Sequence, residues 1–197
     1  MTGPARQADA NPLVGRRILV GVTGGIAAYK TAALVSRLAQ EGADVTVAMT
    51  DAATRFVTPL TFQALSANPV YTSQWEHVES SDPQHVALAR QADIAVVAPC
   101  TMDCMAKLAV GLTEDVVCLI LGAVDRAKTP VLLAPSMNAE MWGQASTRRN
   151  VERLVEDGFE MVGPGEGWQA CRTEGVGRMS EPEEILGAVV ERLSRRG

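Results

Sequence analysis

The sequence predicts an α/β protein built on a single doubly wound parallel sheet, a Rossmann-like or flavodoxin-like domain of three layers. Short apolar runs alternate along the chain with segments whose apolar residues have helical spacing. The runs contain almost no polar residues, as expected for strands that are buried on both faces of a parallel sheet. The chain shows no internal repeat and no linker, and 197 residues suffice for one full hydrophobic core.

The first half of the chain alternates between strands and helices. Residues 16–22 are predicted as the first buried strand, because apolar residues follow two arginines without a break. Apolar residues at helical spacing then predict a helix over residues 25–40, which Gly42 is well suited to end. Residues 45–49 are the second apolar run and the second predicted strand. Two shorter helices are predicted next, at residues 58–67 and 84–91.

The second half continues the alternation. Residues 94–98 form a third apolar strand, which Pro99 is expected to end because proline cannot donate to a strand ladder. The elements that follow are helices at 101–110 and 113–122, a strand at 131–134, a helix at 144–156, a strand at 159–162 and a glycine-rich loop. Pro182 is expected in the first turn of a final helix.

The bulk composition, 47% hydrophobic and 21% charged, is that of an ordinary soluble globular protein. The net charge of −5 and the scattered basic residues argue against nucleic acid as a partner. No stretch is apolar enough for a secretory signal or a membrane span, so we expect a cytoplasmic protein without a membrane partner. Residues 1–14 are predicted to be a disordered leader, and residues 15–197 a single domain.

The four cysteines fall into two groups. Cys100, Cys104 and Cys118 are expected to be free thiols in the core, because disulfides are rare in the cytoplasm. Cys100 and Cys104 have the spacing of two ligands on one helix face, but no histidine or second cysteine pair lies nearby, so no metal site is predicted. Cys171 differs because it lies within a glycine-rich segment.

The turn after the first strand has the composition of an anion-binding loop. It contains Thr23, Gly24, Gly25 and Ile26. Glycines let the backbone approach an anion at a helix N-terminus, but the spacing matches neither a dinucleotide-binding fingerprint nor a P-loop. Thr50, after the second strand, offers a second hydroxyl, and Phe56 offers an apolar wall. Asp51 could equally contact an NAD ribose, so this region predicts a phosphate site without deciding the cofactor.

The most informative segment follows the strand at 131–134 and reads Pro-Ser-Met-Asn-Ala-Glu-Met-Trp over residues 135–142. Open α/β sheets bind ligands at the carboxyl ends of their strands. The amide of Asn138 can donate two N–H bonds to a carboxylate without carrying a charge, although an asparagine here could instead cap a helix. Met141 could pack against a substrate or fill the core.

The glycine-rich segment at residues 163–179 contains one thiol, Cys171, and ends in Arg178 and Met179. A mobile glycine-rich loop suits a lid that closes over a substrate and excludes water. Long loops within compact domains are usually functional, although the alternative is an ordinary connecting loop without a function. We therefore expect this segment to act as a flap over a ligand site.

Together these segments resemble the motifs of the flavin-dependent cysteine decarboxylases, over about residues 16–179. The segment around Asn138 resembles the PASMN motif of that family, and the pattern Cys-x-x-x-Gly-x-Gly-Arg-Met that begins at Cys171 resembles its flap. Residues 98–107 resemble the family segment A-P-A-T-A-N-T-x-A-K. Two departures are Asp103, where the family usually has Asn, and Arg172, where it usually has Gly.

The resemblance implies FMN as the cofactor and no metal. The implied FMN contacts are Thr23, Gly24, Gly25, Ile26, Thr50, Phe56, Thr101, Met102, Asp103 and Ser136. The implied catalytic residues are His85 as a base or orienting group, Asn138 at the carboxylate and Cys171 as a proton donor. The implied substrate contacts are Asn138, Met141, Arg178 and Met179.

The resemblance also implies a reaction and an assembly. The expected reaction is FMN-dependent decarboxylation of 4′-phospho-N-pantothenoylcysteine to 4′-phosphopantetheine in coenzyme A biosynthesis. The alternatives are decarboxylation of a peptide with a C-terminal cysteine, flavin prenyl transfer on the same fold, and a non-catalytic regulatory subunit. The expected assembly is a homotrimer or dodecamer in which His85 and Asn138 come from neighbouring subunits, with a separate phosphopantothenate–cysteine ligase as a further expected partner.

Overall fold

The computed structural model describes residues 11–76 and 83–195, and its centre is a parallel sheet of six strands. The strands are β1 (Arg17–Val22), β2 (Asp44–Met49), β3 (Val70–Tyr71), β4 (Ile94–Cys100), β5 (Val131–Pro135) and β6 (Phe159–Met161). Their order across the sheet is β3-β2-β1-β4-β5-β6, with parallel pairing throughout. This order confirms the predicted doubly wound fold. Of the two variants that were expected, Rossmann-like and flavodoxin-like, it is the Rossmann-like strand order. The strand order reverses between β1 and β4, which is where such sheets bind ligands.

Helices cover both faces of the sheet. They are α1 (Ala28–Gln40), α2 (Asp51–Thr54), α3 (Pro59–Ser66), α4 (Gln84–Gln91), α5 (Met102–Val110), α6 (Val116–Gly122), α7 (Ala139–Gly143), α8 (Ala145–Glu156) and α9 (Pro182–Ser194). Side chains of β1 alternate between two cores, since Ile18 and Val20 pack with α1, α3 and α9, whereas Leu19 packs with α5, α6 and α8. This alternation produces the three predicted layers. In the described part of the chain, no helix is long and apolar enough to cross a membrane.

Several boundaries differ from the predictions for local reasons. Strand β4 continues through Pro99 to Cys100, because the register shifts there and the ladder needs no N–H from the proline. Helix α6 begins at Val116 rather than at residue 113, since the Asp115 side chain accepts a hydrogen bond from the Cys118 amide at 2.9 Å and caps the helix. The short elements α2, α7 and β3 were not predicted, since they contain too few residues to show a period.

The predicted leader lies mostly outside the described residues. Its last part, residues 11–14, forms a turn, and the side chain of Leu13 is buried in the core beside α1 and α9. The backbone of Gly15 also donates to Gly42 at 2.9 Å. Residues 11–14 therefore have a folded role that the expectation of a disordered leader did not include.

The predicted glycine-rich loop is instead a two-stranded antiparallel hairpin, β7 (Gly165–Trp168) and β8 (Glu174–Arg178). Alternating glycines concealed the strands, because glycine is depleted in ordinary strands. The hairpin packs on the segment that follows β5, where the amide of Met137 donates to the carbonyl of Gly177 at 2.9 Å. Gly177 has a φ of +142°, and a Cβ there would lie 2.4 Å from the carbonyl oxygen of Met137. The glycine thus permits the close approach.

We expect Gly177→Ala to separate the hairpin from the segment after β5. The added methyl would clash with Met137 and occupy a backbone conformation that costs about 1–3 kcal/mol for a residue with a side chain. Hydrogen exchange of the Met137 amide should then become faster. The matched control is Gly187→Ala on α9, where no atom lies within 4 Å of the new Cβ and helix propensity favours alanine. Equal protection of Met137 in both variants would contradict the docking role.

Candidate functional site

A cavity of about 1050 Å³ lies at the carboxyl ends of β1, β4 and β5, at the point where the strand order reverses. All of the predicted site residues line it except Phe56 and His85. They are Thr23, Gly24, Gly25, Ile26, Thr50, Thr101, Met102, Asp103, Ser136, Asn138, Met141, Cys171, Arg178 and Met179. Its volume is at the upper end for a small-molecule or cofactor site, which is about 300–1,000 Å³. The topology thus brings together segments that are up to about 150 residues apart in sequence.

The loop from β1 to α1 presents backbone amides to the cavity. Helix α1 begins only at Ala28, three residues later than predicted, so residues 24–27 remain in an open loop. The amides of Gly24, Ile26 and Ala27 donate to no backbone carbonyl in the described part of the chain. All three residues line the cavity, next to the positive end of the α1 dipole. This loop has the properties of an anion site.

The hydroxyl of Thr23 has a different role from the predicted one. It is 1% exposed and donates to the carbonyl of Pro99 at 2.6 Å, so its proton is already used inside the protein. Thr23 instead joins the loop after β1 to the loop after β4, since its oxygen also accepts from the amide of Thr101 at 3.2 Å. The hydroxyls of Thr50 and Thr101 accept from the amides of Ala53 and Cys104. The proton of Thr50 remains available to a ligand, whereas the hydroxyl of Thr101 also lies 3.2 Å from that of Thr23, so Thr50 is the better candidate for a cofactor contact.

Asp103, which stands where the resemblance expects Asn, forms an ion pair with Lys107. The carboxylate lies 3.0 Å from the ammonium of Lys107, which also lies 3.4 Å from Asp115. The pair with Asp103 raises the pKa of Lys107 above its ordinary value. All three residues line the cavity. The carboxylate of Asp103 is therefore already engaged by a lysine of the same helix.

Asn138 is the N-cap of α7, and its side chain still faces the cavity. The oxygen Oδ1 accepts a hydrogen bond from the Met141 amide at 2.8 Å, which fixes the orientation of the amide plane. Within the described residues, the Nδ2 group makes no hydrogen bond with another residue. The two roles that the sequence left open, cap and ligand, are therefore compatible, because they use different atoms.

Cys171 lies in the turn of the β7–β8 hairpin and is exposed on the cavity wall. Its Sγ lies 3.0 Å from the hydroxyl of Thr173 and 3.6 Å from Oε1 of Gln169. The next residue, Arg172, has a φ of +67°, in the left-handed region that favours glycine. This explains the usual glycine at that position, and Arg172 occupies the same conformation at a cost of about 1–2 kcal/mol.

The end of the hairpin is tied to α1 and α9 through one carboxylate. Arg178 and Lys30 both donate to Oε1 of Glu181, the N-cap residue of α9, with a distance of 2.8 Å for Lys30. The ammonium of Lys30 holds the pKa of the Glu181 carboxyl below its ordinary value, with a further contribution from Arg178. Arg178, a predicted substrate contact, therefore reaches the cavity with its charge already partly balanced.

Two predicted site residues lie elsewhere. Phe56 follows α2, is 50% exposed and does not line the cavity. His85 is half-buried on α4, a helix that contacts α6, and it also lies outside the cavity. The second histidine of the sequence, His77, lies outside the described residues.

Sequence reasoning also missed several residues that line the cavity. They are Tyr29, Lys30, Lys107, Trp168 and Gln169. Lys30 and Lys107 are the only lysines within the described residues that line the cavity. Their positive charge is a sequence signal from which they could have been predicted. Gln169 lies two residues from Cys171, in the predicted flap, but a glutamine carries no motif of its own.

The remaining thiols are buried, as predicted. Cys100, Cys104 and Cys118 lie in the core between the sheet and α5 and α6. The neighbouring thiol of Cys100 and burial raise the pKa of Cys104, and the thiol of Cys104 and burial raise the pKa of Cys118. No cluster of metal-binding side chains occurs within residues 11–76 and 83–195. Buried neutral thiols of this kind are inert packing groups.

Comparison with known sequences and structures agrees with this geometry. The coenzyme A biosynthesis bifunctional protein CoaBC of Haemophilus influenzae is 43% identical over 184 residues, which cover 93% of this chain and 45% of the relative. The CoaBC of Bacillus subtilis is 44% identical over 171 residues, covering 87% of this chain and 41% of the relative. The chain therefore spans less than half the length of these two relatives.

Solved structures of decarboxylases have the same fold. A cysteine-to-serine mutant of PPC decarboxylase, complexed with pantothenoylaminoethenethiol, matches with a TM-score of 0.82 and 30% identity, over 93% of this chain and all of the other. The FMN-dependent cysteine decarboxylase SpaF matches with a TM-score of 0.79 and 27% identity, over 92% of this chain and 99% of the other. The Flavoprotein family model matches residues 7–194. The chain therefore belongs to the Flavoprotein family.

Proposed function

We propose that this protein is an FMN-dependent decarboxylase that converts 4′-phospho-N-pantothenoylcysteine to 4′-phosphopantetheine in coenzyme A biosynthesis, in the cytoplasm. The observation that carries the proposal is that Asn138 and Cys171 line the same cavity as an anion-binding loop. The similarity to CoaBC proteins supports this substrate over a peptide with a C-terminal cysteine or a prenyl acceptor.

The cavity fits a flavin mononucleotide. The three amides of residues 24, 26 and 27 provide donors for one terminal phosphate, and the hydroxyl of Thr50 retains its proton for the ligand. Thr101 lines the same cavity. Gly25, Met102 and Ser136 line the same space and would contact the rest of the cofactor. When bound, a flavin supplies a reversible two-electron acceptor, which the decarboxylation of a cysteinyl group requires. Asp103, paired with Lys107, would act as a hydrogen-bond acceptor.

The residues of the chain would bind, orient and protonate the substrate. The Nδ2 group of Asn138 would donate to the carboxylate and hold it in one orientation while leaving CO2 free to depart. Cys171 would give its thiol proton to the carbon that has lost CO2. Met141 and Met179 provide apolar contacts, and Arg178 extends from the hairpin to the same site. The docked hairpin would exclude water from the reaction.

We propose further that His85 completes the site from a neighbouring subunit, in a homotrimer or dodecamer. This would account for a predicted catalytic histidine that lies outside the cavity of its own chain. Mixed assemblies of His85→Asn and Asn138→Asp chains should then regain part of the activity that each variant lacks, because some sites combine two native residues. Light scattering would measure the assembly, and two variants that stay inactive after mixing would contradict a shared site.

The second activity of the bifunctional relatives suggests the source of the substrate. The proposed reaction requires a preceding ligation that joins cysteine to a phosphorylated pantothenate. We therefore propose that a phosphopantothenate–cysteine ligase acts immediately before this domain. Pull-down and coupled assays with such a ligase would test whether the two activities also associate physically.

We expect the purified protein to be yellow and to contain non-covalent FMN. The loop at residues 24–27 provides amides for a single phosphate, and nothing in its spacing matches a diphosphate-binding fingerprint. Denaturation followed by chromatography identifies the released chromophore. Release of FAD or NAD, or of no chromophore, would overturn the choice of cofactor.

The substrate is tested by comparing cysteinyl compounds under the same conditions. CO2 release should be fast with 4′-phospho-N-pantothenoylcysteine and at least about a hundredfold slower with a peptide that ends in cysteine, the size expected when several specific contacts are lost. Cysteine itself should be a poor substrate for the same reason. Faster CO2 release from the peptide would contradict the proposed function and show that the protein decarboxylates peptides with a C-terminal cysteine.

A further inference from the structure

We propose that Gln169 is a positioning residue that holds the thiol of Cys171 at a fixed position relative to the side-chain amide of Asn138. The inference rests on the proposed function, because it assigns Gln169 to the protonation step of that reaction. No cofactor or substrate contact is required of Gln169. Its role would be exerted through the two reacting side chains.

The first observation is the burial of Gln169 in an otherwise exposed turn. Gln169 is 7% exposed, whereas Trp168, Ala170 and Cys171 on either side are exposed. A buried primary amide is unfavourable unless its donors and acceptor are satisfied. Here Nε2 donates to the carbonyl of Gly175 at 3.2 Å, and Oε1 accepts from the amide of Ala139 at 3.1 Å. The side chain therefore joins the hairpin to α7.

The second observation is the contact between Gln169 and the thiol. Oε1 of Gln169 lies 3.6 Å from Sγ of Cys171. The backbone of Gln169 also forms hydrogen bonds with the two residues that follow the thiol, Arg172 and Thr173. The amide of Gln169 donates to the carbonyl of Thr173 at 2.8 Å, and its carbonyl accepts from the amide of Arg172 at 2.9 Å. One residue thus fixes the turn and restrains the direction of the thiol.

The third observation concerns the N-terminus of α7. Oε1 of Gln169 accepts a hydrogen bond from the amide of the first helical residue, Ala139, and Oδ1 of Asn138 accepts one from the amide of Met141. The two side chains together satisfy two of the unpaired amides at this helix end. Because the same Oε1 atom contacts both the helix end and the thiol, a change at Gln169 alters the position of Cys171 relative to Asn138.

The affected step is a proton transfer. After CO2 leaves, the substrate is an enethiolate, and its carbon accepts the S–H proton of Cys171 to give a thioaldehyde. The flavin proposed for this cavity would supply the hydride that the carbon bearing sulfur then receives, which gives the saturated thiol. If the thiol is misplaced, the enethiolate would escape before its carbon is protonated, and the two electrons would remain on the flavin. The released product is then two hydrogens lighter than the normal product.

The experiment measures the ratio of saturated to unsaturated thiol by mass spectrometry, in anaerobic turnover. We expect Gln169→Leu to lower this ratio at least about tenfold, since misplacement of a catalytic group costs up to about a hundredfold. Gln169→Glu keeps an acceptor for Ala139 but loses the donor to Gly175, and it should lower the ratio less. The control Glu166→Gln, an exposed position in the same hairpin, should leave it unchanged. A variant that loses CO2 release and saturated product in proportion would assign Gln169 a structural role only and overturn the proposal.

A second measurement does not depend on turnover. Iodoacetamide labels exposed thiols, and Cys171 is the exposed one of the four cysteines. Its labelling rate in the holoprotein should rise several-fold in Gln169→Leu and stay unchanged in Glu166→Gln. Unaltered labelling in Gln169→Leu would overturn the restraint on the thiol, even for a variant that fails to turn over. If the native protein releases no CO2 but the labelling rates differ as expected, the proposed function fails and the restraint by Gln169 stands.

Discussion

Asn138→Asp is expected to lower decarboxylation by about a thousandfold while the protein stays folded and retains its flavin. The substitution places a carboxylate opposite the substrate carboxylate and removes the Nδ2 donor. Two like charges about 4 Å apart repel by roughly 4 kcal/mol at the effective dielectric constant that is typical near a protein surface. Each 1.4 kcal/mol corresponds to a factor of ten, so this repulsion accounts for the expected loss.

The structure makes this substitution unusually specific. Aspartate caps a helix as well as asparagine does, so the hydrogen bond from the Met141 amide is retained and the stability should change little. Thermal unfolding and the visible flavin spectrum measure fold and cofactor, and CO2 release measures turnover. Asn150→Asp, on α8 and outside the cavity, introduces the same change of charge as a control. Turnover at the native rate in Asn138→Asp would reduce Asn138 to a helix cap.

Cys171→Ser is expected to permit CO2 loss but to block formation of the saturated thiol. Serine preserves a hydroxyl near Thr173 and Gln169, so the turn of the hairpin keeps its contacts. A hydroxyl is a far weaker acid than a thiol, and a positioned general acid contributes about 10²–10⁴-fold to a rate. We therefore expect the yield of saturated product to fall by at least about a hundredfold.

The measurement is mass spectrometry of the product together with the flavin spectrum under anaerobic conditions. A product two hydrogens lighter than the saturated thiol, or a flavin that stays reduced, is the expected result. The buried thiols provide no competing donor, because Cys100, Cys104 and Cys118 lie in the core and do not line the cavity. Saturated product at the native rate would show that the proton comes from another group and that Cys171 only completes the turn.

The fold and most of the cavity could be predicted from the sequence, since they depend on local patterns. Unbroken apolar runs identify strands that are buried on both faces, as in β1, β4 and β5. Parallel strands with helical crossovers bring their carboxyl ends to one edge, which is why the loop at residues 23–26 and the segment around Asn138 could be assigned to the same site. The lone thiol of Cys171 in a glycine-rich segment marked the third part of it.

The sequence was misleading where a residue's role depends on partners that are distant along the chain. Thr23 has the local appearance of a phosphate contact, but its proton is used by Pro99, 76 residues away. The glycines of the flap suggested an open loop, yet Gly177 lies in a strand, β8, and its lack of a side chain lets that strand pack directly on Met137. Gln169 has no motif, and only the structure shows its contacts with Ala139 and Cys171.

The sequence by itself therefore determined the fold class, the residue types of the site and the edge of the sheet where they gather. Those features follow from hydrophobic periodicity and from the chemistry of single side chains, which are properties of short segments. The tertiary structure decided which atoms remain free for a ligand. Asn138 keeps Nδ2 while Oδ1 caps α7, and Thr50 keeps a hydroxyl proton that Thr23 does not. A hydrogen bond uses one donor and one acceptor, so only the full set of contacts shows which groups are left for function.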